Sequence, residues 1–151
     1  MDTSNNKKDV KINVPAINEY LEAIRNFIEH LPSVKSMDPQ ERYNLLLAVE
    51  EASENVIKHA YDEPTKGDIE IDICTDDEKI TVIVSDRGKG FIPREKVDWE
   101  HLTELRVGGL GIYIIEKLMD KVNYQIDKEK GGTKIKMIKY FNGKKAKEKV
   151  L

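Results

Sequence analysis

Hydrophobic positions near the start of the chain change from a period of two to a helical period. Val10, Ile12 and Val14 alternate with polar residues in VKINVPA, which predicts a strand over 10–16. Apolar residues over 17–31 then recur at spacings of three and four, which predicts an amphipathic helix.

A second, longer helix is predicted from Pro39 to about Tyr61. Asp38 is a favourable N-cap residue, a proline follows at the first helical position, and Glu41 stands three residues after the cap. Apolar or small residues give this helix a wide core-facing side. They are Leu45, Leu46, Val49, Ala52, Ser53, Val56, Ile57 and Ala60.

The remainder of the chain alternates two hairpins with one helix. Segments 69–75 and 79–86 predict an antiparallel hairpin, and segments 122–127 and 132–141 predict a second one. A helix over 108–120 lies between them and opens with glycines. Because the last two strands are adjacent in sequence, we expect an α+β fold: a two-layer sandwich with a mixed, mostly antiparallel sheet and helices on one face.

Length and charge narrow the class of protein. The 151 residues favour a single domain over 1–151, with flexible tails at 1–8 and 142–151. The net charge of -3, from 25 basic and 28 acidic side chains, does not favour nucleic acid as a partner. No apolar run suits a membrane span or a signal peptide, and Cys74 has no second cysteine to pair with, so we expect a cytoplasmic protein.

Glu51 and Asn55 are the first candidate site residues. They stand four apart on the long helix and therefore share one face. An asparagine carbonyl oxygen suits Mg²⁺, and a glutamate can accept a proton from an attacking hydroxyl group. The same pair is common on solvent-exposed helices, so the spacing leaves both interpretations open.

Asp86 follows a strand that the sequence predicts to be buried. A carboxylate there can accept a hydrogen bond from an exocyclic amine such as that of adenine, and Gly88 and Gly90 would let the backbone approach a ring closely. An ordinary turn after a strand has the same composition, so this interpretation also stays open.

A third candidate is the glycine cluster that opens the helix over 108–120. Glycines at a helix N-terminus present free N–H groups to an anion, although a hinge without a ligand has the same composition. No Lys-Ser or Lys-Thr follows Gly111, which excludes a P-loop.

In this order, the three features resemble the GHKL ATPases, whose domain has the Bergerat fold. The segment 50–61, EEASENVIKHAY, is similar to their N box, and 86–91, DRGKGF, to their first glycine box. The segment 108–115, GGLGIYII, resembles the second glycine box, and 131–137, GGTKIKM, the closing strand. Within that superfamily, residues 10 to 141 resemble the bacterial anti-sigma factor serine/threonine kinases.

The resemblance implies roles for the residues of the first two boxes. Asn55 would hold Mg²⁺ through its side-chain oxygen, and Glu51 would be the general base that orients the attacking hydroxyl group. Asp86 would bind the adenine amine, with Gly88 and Gly90 shaping that pocket.

It also implies roles further along the chain. Thr133 would complete the adenine site, and Gly109 and Gly111 would approach the phosphates. Residues 92–107 would form an ATP lid, from which Arg106 would reach a phosphate or simply be solvated.

The activity implied is that of an ATP-dependent serine/threonine protein kinase with Mg²⁺. Its substrate would be a STAS-type anti-sigma factor antagonist, a sigma factor would be a second partner, and the protein would be a homodimer. Glu54 and Lys89 depart from the pattern of this branch, which leaves catalytic competence open. The alternative is a non-catalytic protein-binding module regulated by ATP.

Overall fold

The sheet of the computed structural model has five strands. The structure describes residues 8–62, 67–90, 109–127, 129 and 131–141. The strands are β1 Lys8–Pro15, β2 Asp68–Thr75, β3 Lys79–Ser85, β4 Lys121–Ile126 and β5 Thr133–Tyr140. Their order is β1-β2-β3-β5-β4, and every neighbouring pair in the described part of the chain is antiparallel.

The helices lie on one face of this sheet. They are α1 Leu21–Glu29, α2 Pro32–Lys35, α3 Pro39–His59 and α4 Gly109–Leu118. As expected, Asp38 caps α3, with its side chain accepting a hydrogen bond from the Gln40 amide at 3.2 Å. The α+β sandwich expected from the sequence is therefore confirmed.

Two details near the N-terminus differ from the sequence expectation. The helix predicted over 17–31 is a 3-10 turn, Asn18–Tyr20, followed by α1. No helix is predicted between residue 31 and Pro39, but α2 lies there, a single turn that begins at Pro32 and buries Val34. One turn is too short to display a hydrophobic period, so the pattern could not reveal it.

The core lies between the helices and the inner face of the sheet. Ile71, Val84 and Ile135 are paired across three neighbouring strands, and each is at most 1% exposed. On the outer face, Asp72 and Lys136 flank Ile83 in the next row of the register. This division is the alternation of an antiparallel sheet with one side facing solvent.

The insertion of β5 between β3 and β4 determines where the candidate residues lie. Ser85 pairs with Lys134, so the end of β3 and the start of β5 lie side by side. The Asp86 amide continues this ladder and donates a hydrogen bond to the Thr133 carbonyl at 3.0 Å. The end of β3 and the start of β5, far apart in sequence, thus meet at one end of the sheet.

Some predictions concern the rest of the chain. The predicted lid over 92–107, including Arg106, and the predicted tail over 142–151 lie outside the described residues. β1 begins at Lys8, the residue with which the predicted N-terminal tail ends. Among the described helices, none is long and apolar enough to cross a membrane.

Candidate active site

The second half of α3 faces the first turn of α4. A Cβ atom built on Gly111 would lie 2.9 Å from Glu51 Oε1 and 3.6 Å from Asn55 Oδ1. The first distance is too short for a real Cβ atom, so a side chain at Gly111 would have to displace the end of the flexible Glu51 side chain, whereas the second distance is ordinary van der Waals contact. The fold therefore brings together the polar pair on α3 and the glycine cluster that opens α4.

Asn55 is buried at this contact. Its side chain is only 4% exposed, and Nδ2 finds no hydrogen-bond partner among the residues that the structure describes. An unsatisfied buried donor costs about 1–3 kcal/mol, so native proteins retain one chiefly where a ligand or water completes it. Rotation of the amide exchanges its oxygen and nitrogen, so this position can present an oxygen to a cation.

Glu51 is half-buried beside Asn55. Its pKa is raised above the ordinary value, mainly because burial disfavours the charge and further because Glu54 and Glu50 lie nearby, while Lys58 acts in the opposite direction. Glu50 instead lies 3.4 Å from Arg25 Nη1. The carboxylate that faces α4, and whose basicity is increased, is therefore that of Glu51.

Asp86 lies at the end of β3, and one oxygen of its carboxylate is already hydrogen-bonded to the backbone. Oδ1 accepts hydrogen bonds from the amides of Gly88 at 2.9 Å and Thr133 at 3.3 Å. Oδ2 is buried and has no hydrogen-bond partner within the described segments. Burial raises the pKa of Asp86, and the two amide donors oppose that rise. The arrangement leaves one oriented acceptor for a ligand that carries a donor.

The glycines after Asp86 fit the loop against its neighbours. A Cβ atom on Gly88 would overlap the carbonyl oxygen of Ala60, which also accepts a hydrogen bond from the Lys89 amide at 2.9 Å. Gly88 is thus required where the loop packs on the end of α3. Gly90 has a φ of 80°, a conformation that favours glycine.

Sequence reasoning missed two contributors to this edge. Gly132 has a φ of 102°, and a Cβ atom there would overlap the Asp86 carbonyl oxygen. Tyr61 donates a hydrogen bond to the Asp68 carbonyl at 2.7 Å and accepts one from the Arg87 amide at 3.0 Å. The sequence places Gly132 at the start of a predicted strand, and the structure adds that its lack of a side chain lets β5 approach Asp86.

The other predicted residues divide between the two parts of the site. Thr133 is 3% exposed and lies beside Asp86, while Gly109 is the first residue of α4, two positions before Gly111. The predicted Arg106 lies outside the described residues. Among the described residues, no three His, Cys, Asp or Glu side chains are arranged to hold a metal ion.

Comparisons with known proteins agree with this geometry. Residues 14–139 match the family model of the histidine kinase-like ATPase domain. The chain is 33% identical to the serine-protein kinase RsbW of Bacillus subtilis, over 93% of this chain and 91% of that protein. It is 31% identical to the serine-protein kinase RsbW of Listeria monocytogenes, over 92% and 91% respectively.

Two solved structures share the fold. The RsbU and RsbW domains of a Mycobacterium tuberculosis protein superpose with a TM-score of 0.65 at 18% identity, and the match covers 89% of this chain but 32% of that one. A chain of the SiaB-SiaC complex from Pseudomonas aeruginosa superposes with a TM-score of 0.59 at 15% identity, covering 87% of this chain and 89% of that one. The resemblance expected from the three boxes is confirmed: this chain belongs to the histidine kinase-like ATPase domain family, among the serine-protein kinases of the RsbW type.

Proposed function

We propose that this protein, a serine-protein kinase by family, uses Mg-ATP to phosphorylate a STAS-type anti-sigma factor antagonist. The observation that carries the proposal is a pair of buried polar groups with unused hydrogen-bonding capacity. Asn55 Nδ2 faces the first turn of α4, and Asp86 Oδ2 lies at the end of β3. A nucleotide would satisfy both, with its base at Asp86 and its phosphates at Asn55.

The adenine end of the site would be defined by one carboxylate oxygen. Asp86 Oδ1 is already held by two backbone amides, so the carboxylate cannot rotate without breaking them. Oδ2 would accept a hydrogen bond from the adenine amine, and Thr133, buried beside it, would complete that end. Gly88 and Gly90 would let the loop follow the base closely.

The phosphate end would combine a metal ligand with oriented backbone donors. The Asn55 side chain would hold Mg²⁺, which supplies neutralisation of phosphate charge when bound. The first turn of α4, with Gly109 and Gly111, would direct its N–H groups and the positive end of the helix dipole at the phosphates. Arg106 would join them from the lid over 92–107.

Glu51 would serve as the general base. Its raised pKa makes it a better proton acceptor than an exposed glutamate, and it lies beside Asn55, where the phosphates would be held. It would orient the substrate serine hydroxyl group and accept its proton as the oxygen attacks the γ-phosphorus of ATP, with ADP as the leaving group. Phosphoryl transfer depends mainly on positioning and on neutralisation of charge, so a metal ligand, a general base and oriented N–H donors are the kinds of group that it needs.

The protein partners follow from the family resemblance. A sigma factor would be a second partner, and phosphorylation of the antagonist would redistribute the complexes. The protein would act as a cytoplasmic homodimer with a single domain over 1–151. The SiaB-SiaC complex offers a structural precedent for a chain of this fold bound to another protein. An ATP-regulated binding module without catalysis is the competing function, because Glu54 places an additional carboxylate next to Asn55.

Titration calorimetry with ATP, in the presence and absence of Mg²⁺, tests the proposal. We expect the wild type to bind in a Mg²⁺-dependent manner, and Asn55→Ala to lose the Mg²⁺-dependent part of the affinity. Asn13→Ala is the matched control, because Asn13 is exposed on β1. Absence of nucleotide binding by the wild type would refute the proposal. Binding without transfer of phosphate to any STAS-type antagonist tested would favour the non-catalytic module.

A further inference from the structure

Lys139 is an unusual residue for the inner face of the sheet. It follows Ile135 and Met137 in the buried alternation of β5, and it is itself only 5% exposed. Its Nζ donates a hydrogen bond to the Leu118 carbonyl at 2.7 Å and lies 3.0 Å from Glu41 Oε1. A buried ammonium group is costly unless it is paired and hydrogen-bonded, and here both conditions are met.

These contacts complete the C-terminal end of α4. The Leu118 carbonyl belongs to the last turn of α4, where carbonyl groups have no partner within the helix and where a cation is favoured. Asp120, two residues after the end of α4, is hydrogen-bonded to β5, the strand that carries Lys139. Asp120 donates its amide to the Ile138 carbonyl at 2.9 Å, and its Oδ2 accepts a hydrogen bond from the Tyr140 amide at 2.7 Å.

Lys139 also connects α4 to α3. Glu41 lies in the first turn of α3, ten residues before Glu51, or about 15 Å along a helix. Gly111 and Leu118 are about 10 Å apart along α4. Gly111, near the start of α4, meets Glu51, and Lys139 joins Leu118, at the end of α4, to Glu41. The two helices therefore run antiparallel, and α4 contacts α3 or its partner Lys139 at both of its ends.

We propose that Lys139 is a positioning residue for the phosphate end of the nucleotide site. By fixing the C-terminal end of α4 to the N-terminal end of α3, it sets the distance between the first turn of α4 and the pair Glu51 and Asn55. The adenine end depends instead on Asp86, which follows β3 and lies beside the start of β5, far from Lys139, and it should not respond to the loss of Lys139. This inference rests on the proposed function, since it assumes that phosphates bind between α3 and α4.

The test compares Lys139→Met with Lys136→Met. Both remove one lysine from β5, but Lys136 is exposed on the outer face of the sheet. Dissociation constants for Mg-ATP and for adenosine would be measured by calorimetry, well below the unfolding temperature of each variant. We expect Lys139→Met to weaken Mg-ATP on the order of 10- to 100-fold, as for a small misplacement of site groups. Adenosine affinity should stay within about twofold, because its site is distant, and Lys136→Met should match the wild type for both ligands.

Glu41→Gln provides a second variant that retains an acceptor for Lys139. It should weaken Mg-ATP in the same direction but less, again without affecting adenosine, and it decides the matter if Lys139→Met does not fold. Unchanged Mg-ATP affinity in both variants would overturn the inference. Equal losses for Mg-ATP and adenosine would overturn it too, because they would indicate a general structural role. If the wild type bound adenosine and ATP equally weakly, the proposed function itself would fail.

Discussion

Replacement of Asp86 by asparagine should have opposite effects on nucleotide affinity and on stability. The substitution keeps the size of the side chain and one oxygen to accept from the amides of Gly88 and Thr133. The second oxygen, which has no partner within the described residues, becomes an N–H donor. An adenine amine would then meet a donor in place of an acceptor.

The magnitude follows from the burial of this carboxylate. A hydrogen bond to a charged acceptor contributes about 1.5–3 kcal/mol, and a buried donor left unsatisfied costs about 1–3 kcal/mol. Together they should weaken ATP binding by about 3 kcal/mol, on the order of 100-fold in Kd. In the nucleotide-free protein, removal of a charge that burial disfavours should raise the melting temperature at neutral pH.

Calorimetric titration with ATP and thermal unfolding without nucleotide measure the two effects on the same samples. Asp9→Asn makes the same chemical change at an exposed position on β1 and should alter neither quantity. If Asp86→Asn bound ATP as tightly as the wild type, Oδ2 would not be the adenine acceptor. If it lost stability instead, the carboxylate would be stabilised in the free protein by interactions beyond its two amide donors.

Three further predictions use the same structure. In a kinase assay, Glu51→Gln should lower kcat for phosphoryl transfer about 10²- to 10⁴-fold, with little change in ATP affinity. Glu50→Gln should be close to the wild type, and a large loss of kcat in both variants would argue against Glu51 as the base. Gly132→Ala should destabilise the protein by about 1–3 kcal/mol in denaturant titrations, because its φ is 102° and a Cβ atom would overlap the Asp86 carbonyl. Gly90→Ala should lower the free energy of unfolding by less, and equal losses in the two variants would contradict the packing argument. The raised pKa of Asp86 has a defined sign: the protonated native form is favoured, so its contribution is present below the ordinary pKa of 3.8 and is lost as pH rises through the raised value. The free energy of unfolding of the wild type, relative to Asp86→Asn, should therefore fall over that window, and a rise would refute the assignment.

Local sequence signals predicted most of the secondary structure. The cap at Asp38 fixed the start of α3, and alternation of Ile69, Ile71 and Ile73 identified β2 and its buried face. These signals act between residues a few positions apart, so one sequence displays them directly. They failed at two places near the N-terminus: Asn18–Tyr20 form a 3-10 turn before α1, and α2 is a single turn too short to have a period.

The chemistry of the site was also visible in the sequence, but its assembly was not. The residue types of the N box and the two glycine boxes, in order, were enough to identify the family and to name Glu51, Asn55 and Asp86 as candidates. Sequence spacing placed Glu51 and Asn55 on one helical face, because a helix turn relates them directly. It could not decide whether that face met solvent or another helix.

Only the tertiary structure decided which distant segments meet. Thr133 reaches Asp86 across 47 positions because β5 pairs with β3, and Gly132 must lack a side chain because of that approach. Gly111 meets Glu51, and Lys139 is buried between α3 and α4, through packing that no local pattern reports. The physical reason is that burial and hydrogen-bond satisfaction are properties of the whole packed chain, whereas capping and periodicity are properties of neighbours along it.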